Sequence, residues 1–193
     1  AAVRLRRPRD PATLHFYWLT VAFFGVFAFS FSGRLDRLDW AFYWADRVSL
    51  VLLPPLFLHF ALAFPSRPAW LLASRWRAAF PLSYAPAFVL GGLLMATMAL
   101  GPGADARFDQ HLAWLGQALY LHLAVFLVLG VGVFVLGLWS RQTPTARRQL
   151  RWIGWGTALG GLPFAAGHAV PLALGFTPAP WTELLAVPLG LAP

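Results

Sequence analysis

The sequence predicts an all-α fold: a polytopic transmembrane helical bundle of five full spans plus a truncated sixth, N-terminus cytoplasmic. Three observations lead there. Hydrophobic residues make up 59% of the 193 and charged residues only 11%, against roughly 45–50% and about 25% in soluble domains. The apolar residues fall in long runs, and the arginines gather in the short stretches between them.

A hydrocarbon core of about 30 Å takes about 20 residues of helix. Five runs meet that length: 15–32, 40–64, 80–100, 112–139 and 152–174. The last run, 181–193, holds only WTELLAVPLGLAP and reads as a sixth helix cut short. With no initiating Met either, the chain is expected to be a piece of a longer protein. The basic start AAVRLRRPRD is not a signal peptide, because the apolar run after it is of full membrane length and lacks a cleavage pattern.

Positively charged loops stay in the cytoplasm. Arg4, Arg6, Arg7 and Arg9 precede the first run, Arg67, Arg75 and Arg77 follow the second, and Arg141, Arg147, Arg148 and Arg151 follow the fourth. These eleven of the fifteen basic residues share one side, so the chain is expected to start inside. Of the acidic residues, only Asp10 falls on that side. Arg147, Arg148 and Arg151 then mark the cytoplasmic face, with Trp152 and Trp155 as anchors at the headgroup level of membrane lipids. The segment 66–80, SRPAWLLASRWRAAF, reads either as a short amphipathic helix along that surface or as a plain loop.

A net charge of +8 raises nucleic acid as a partner. Such binding needs a basic face on a soluble fold, and short clusters between membrane runs do not supply one. The absence of cysteine excludes disulfides and thiol ligands. All basic residues are arginine, which suits a GC-rich bacterial genome.

Two anomalies stand out in the second run. Asp46 and Arg47 are charged groups inside an apolar segment, and such groups usually face a bundle interior or a cavity. Neighbouring residues do not share a helix face, so each would take a partner on another helix. The bland reading puts both in the solvated outer headgroup region. Pro54 and Pro55 are expected to kink the helix at mid-span, either as a hinge or as static packing.

Histidine raises the question of metal or haem. His122 and His168 come nearest to matching depth, but about one turn or more separates them, so no metal or cofactor is expected. His59 and His15 fall toward the inner side, and His111 reads as a solvated loop residue. Asp46, Arg47, Gln117, Tyr120, His122, His168 and Glu183 together place polar chemistry in the outer half of the bundle. They could line a pocket for a small or amphiphilic ligand, or pair with one another as structural glue. Gly156 and Gly160 form a GxxxG pair suited to close helix approach. The sequence contains no phosphate loop, GxSxG, HExxH or paired-carboxylate motif, so no catalytic site is expected.

RRPRDPAT, LLPPLFLHFALAFPSRP, ARRQLRWIGWGTALGGLPF and the terminal ELLAVPLGLAP appear in that order. This series resembles the multi-helix membrane input region of bacterial sensor histidine kinases, specifically the competence-type quorum-sensing group. A similar region occurs in membrane-anchored serine phosphatases of the sporulation-stage-II class. The resemblance implies a place in the bacterial inner membrane, a further helix upstream and a kinase or phosphatase domain downstream. It also implies a homodimer formed through that domain, with ATP and Mg bound only there. The membrane histidines of this chain would not be phosphoacceptors. A small transporter or channel is the alternative outside that class, although no internal repeat supports it.

Overall fold

A computed structural model describes residues 11–29, 36–64, 78–101, 107–139, 143–179 and 181–182. Within them the chain forms α1 (Pro11–Ala28), α2 (Arg37–Ala63), α3 (Ala79–Leu100), α4 (Phe108–Trp139) and α5 (Pro144–Phe164). A π-helical turn, Ala165–Ala169, continues α5 into the short α6 (Val170–Ala173). No strand occurs among the described residues.

Helix ends follow local chemistry more closely than hydropathy. Asp36 caps α2, its Oδ1 accepting from the backbone N–H of Leu38 (2.9 Å) and Asp39 (2.8 Å). A capped first turn starts this helix three residues before the apolar run. Thr143 does the same for α5, accepting from Ala146 N–H at 3.3 Å, with Pro144 in the first helical position. That corrects the expected start at 152: Arg147, Arg148 and Arg151 lie on the helix, not in a loop. His111 likewise sits in the first turn of α4, because that helix opens at Phe108 with Asp109 near its positive end. α1 is shifted toward the N-terminus relative to the expected 15–32. Gly175, at φ 80°, closes α6 through Gly175 N–H to Leu172 O and Phe176 N–H to Pro171 O. This is the paired C-terminal motif that favours glycine.

α2 and α4 form the centre, with α1 against α2, α5 against α4 and α3 touching both. Without a strong hydrophobic drive between helices in lipid, close approach at small residues supplies the packing. A Cβ at Gly25 of α1 would collide with Ser49 of α2, and one at Gly130 of α4 with the Phe57 ring. Gly161 receives Leu127, and Gly154 meets Phe134. The α4/α5 seam is thus made by residues 154 and 161, with Gly160 also buried beside them. One apolar cluster contains Leu50, Leu53, Ala87, Leu119, Leu123 and Phe164, and a second contains Phe60, Phe134 and Leu150.

α2, α3 and α4 are long and apolar enough to cross a membrane, while the apolar stretch of α1, Thr13–Val26, is shorter. α3 buries Ala87 and Leu94 and leaves Phe88, Leu82 and Met95 at 64–72% exposure. Such a surface is costly in water and well matched to lipid.

Candidate functional site

Polar side chains of α2, α4 and the π turn form two pairs, Asp46 with Arg47 and Tyr120 with His168. Asp46 and Arg47 lie about 14 Å along α2 from its start, at 1.5 Å per residue. The 27-residue helix is about 40 Å long, roughly 10 Å more than a hydrocarbon core. If α2 is centred in the bilayer, both residues fall below the interface.

The two are not paired across helices, as their adjacency in sequence suggested. Arg47 Nε stands 3.7 Å from Asp46 Oδ2, and the guanidinium lies 5.3 Å from the Tyr43 ring centre one turn earlier. A long flexible arginine can fold back along its own helix, which the face argument overlooked. At 3.7 Å the contact is an ion pair and too long for a hydrogen bond. Arg47 Nε is buried and makes no hydrogen bond among the described residues. The side chains of Arg47 and Asp46 keep 24% and 18% exposure, which is neither free solvation nor full burial.

Tyr120 of α4 packs against the first apolar cluster. Its ring meets His168 of the π turn edge-on, with centroids 6.2 Å apart, and His168 stacks on Phe164 at 5.2 Å. Gln117, one turn before Tyr120, approaches Gly175 closely enough that its Nε2 would lie 2.8 Å from a Cβ there. The structure therefore brings Tyr120 to His168, pairs Asp46 with Arg47 along α2, and places Gln117 at the adjoining α6 terminus.

His122 belongs to neither pair. Two residues separate it from Tyr120, about 200° around the helix, and its ring meets Phe126 edge-on at 4.4 Å. It is 7% exposed, and neither ring nitrogen makes a hydrogen bond among the described residues. Glu183 lies outside the described residues, as does most of the expected sixth span; of segment 66–80 only 78–80 are described. Pro54 and Pro55 are fully buried inside an α-helix that runs unbroken past them.

Sequence reasoning missed a second polar contact. His15 of α1 and His59 of α2 have ring centroids 3.9 Å apart, and His59 Nδ1 lies 3.1 Å from the Tyr84 hydroxyl of α3. The signal was available, since both histidines were placed toward the inner side of consecutive helices, but nothing in their spacing fixed facing rotations. Among the described residues, no three His, Asp or Glu side chains are grouped as metal ligands would be.

Arg147, Arg148, Arg151, Trp152 and Trp155 line one stripe of α5, together with Pro144, beside an open cleft of about 700 Å³. The headgroup anchors expected from sequence thus share one helix face. No family model, curated protein or solved structure matches the chain.

Proposed function

We propose that the chain is the membrane-embedded input region of a bacterial sensor histidine kinase, relaying a helix rearrangement to a cytoplasmic output domain. In this reading α1 and the α5–α6 rod join α2, α3 and α4 as five spans in the inner membrane. The N-terminus lies inside, and the sixth span leads toward the output domain.

One observation carries the input role: the buried Arg47 Nε, without a hydrogen bond among the described residues, beside Asp46 in a largely apolar bundle. Buried polar atoms are almost always satisfied, and exceptions concentrate where a ligand or water binds. A small or amphiphilic ligand with an acceptor group would satisfy Arg47 there. It could bias the bundle only by binding two arrangements with different affinity. The π turn carrying His168 is the element proposed to differ between them, because such turns are frequent at functional sites within α-helices. The output class rests on the resemblance of RRPRDPAT, LLPPLFLHFALAFPSRP and ARRQLRWIGWGTALGGLPF to kinase input regions.

The test uses the full-length protein in native membrane vesicles supplied with labelled ATP. The proposal expects phosphate incorporation downstream of residue 193, changed several-fold by Asp46→Ala and by His168→Ala at equal protein level. Phosphoserine hydrolysis without incorporation would indicate the related phosphatase output. Incorporation indifferent to both substitutions would remove the ligand site from the account.

A further inference from the structure

We propose that the arginine-tryptophan stripe of α5 is a binding site for the phosphate headgroup of an anionic phospholipid. The inference rests on α5 lying at a bilayer surface and not on the kinase reading.

The stripe is graded along the helix. Arg147 and Arg148 stand in its first turns, Arg151 one turn on, then Trp152 and Trp155, all facing the same cleft of about 700 Å³. From 147 to 155 the helix rises about 12 Å. Trp152 and Trp155 are 65% and 61% exposed, so they do not serve the core. Beyond them the same face continues with Leu159, 68% exposed, and Leu162. Cations, then amphipathic indoles, then aliphatic carbon is the order a phospholipid presents from phosphate through glycerol ester to acyl chain. Guanidinium groups bind phosphate oxygens in forked pairs, a geometry an ammonium cannot reproduce. The positive end of the α5 dipole adds to the same field.

Charge complementarity selects an occupant from outside the chain. No acidic residue occurs between Asp109 and Glu183. The other segments expected on this side are also basic: residues 66–77 contain three arginines and no acid, and residues 1–10 four arginines against Asp10. None of these can neutralise the stripe, whereas an anionic headgroup can. A zwitterionic headgroup, carrying its own cation, fits less well.

The experiment begins with carbonate washing of membranes that contain the full chain. It then titrates the purified protein in neutral detergent with phosphatidylglycerol or phosphatidylcholine, counting retained lipids by native mass spectrometry. A parent protein stripped by carbonate removes the membrane premise and the proposal with it. A retained parent should hold phosphatidylglycerol about tenfold or more tightly than phosphatidylcholine, at a gain of roughly fivefold per well-placed arginine. Equal retention overturns the site alone. The triple change Arg147→Gln, Arg148→Gln, Arg151→Gln should abolish the preference, while Arg37→Gln at the start of α2 leaves it intact. A triple variant with unaltered preference also overturns the proposal. If the triple variant does not fold, Trp152→Ala with Trp155→Ala replaces it and should weaken phosphatidylglycerol retention several-fold; unaltered retention overturns the proposal. Displacement of phosphatidylglycerol by millimolar inorganic phosphate would show a site for the free anion and contradict the assignment to lipid.

Discussion

In α2 the adjacent Pro54 and Pro55 are fully buried within a continuous α-helix, whereas α5 meets Pro163 and Pro171 on either side of a π turn. Each proline removes one backbone donor and crowds the carbonyl four residues earlier. In α2 the affected carbonyls are those of Leu50 and Val51, in the best-packed part of the bundle. α1, α3 and α4 all pack against that helix. Past α5, Val170 N–H reaches back five residues to Ala165 O, absorbing one extra residue in a wider turn. Pro163, Ala166 and Val170 are exposed there. Prolines thus sit within regular α-helix where they are themselves buried, and flank a π turn where one face of the helix is exposed. On this comparison the backbone leaves regular α geometry at residues 165–169, whereas α2 stays α-helical past the double proline.

Deleting Leu52 would break the comparison most severely. It rotates everything after it on α2 by about 100°, taking Phe57 away from Gly130 and Phe60 away from Phe134. Loss of more than about 5 kcal/mol is expected, at the extreme of single changes, read as absence of a cooperative melting transition in detergent. Phe134→Ala removes the fully buried ring that faces Phe57 and Phe60 on one side and Gly154 on the other. Its expected cost is about 3–5 kcal/mol, measured by chemical denaturation in mixed micelles. Thr143→Ala removes the cap of α5 at a cost of about 1 kcal/mol. Faster amide exchange confined to the first turn of α5 would record it. Deleting Ala166 is expected to have the smallest effect on stability, within about 1 kcal/mol, because a π turn is commonly one inserted residue in an α-helix. Thermal stability near the parent, together with loss of crosslinking between cysteines placed at 120 and 168, would sharpen the contrast with Leu52.

The helical class was legible because membrane-length apolar runs leave few alternatives. Helix starts were less legible. Thr143 followed by Pro144 is a start signal, but the arginines after it lower local hydropathy and disguise the first two turns of α5 as loop. Asp36 was hidden in the same way behind Arg37 and Asp39. Of the candidate site, Tyr120 meets His168 across elements, while Asp46 and Arg47 pair with each other along α2. His122 joins neither pair, because depth says nothing about rotation and two residues reverse a helix face. The contact between His15 and His59 escaped for the same reason. The π turn had no sequence signal beyond the flanking Pro163 and Pro171.

The chain has no cysteine, so single cysteines at Asp109 and Gln149 report sidedness cleanly. These exposed positions flank the far end of α4 and the start of α5. In intact cells a membrane-impermeant maleimide should label the cysteine at 109, and the one at 149 only after permeabilisation. Labelling of both from the same side would mean that α4 does not cross the bilayer, contradicting the membrane bundle on which both proposals stand.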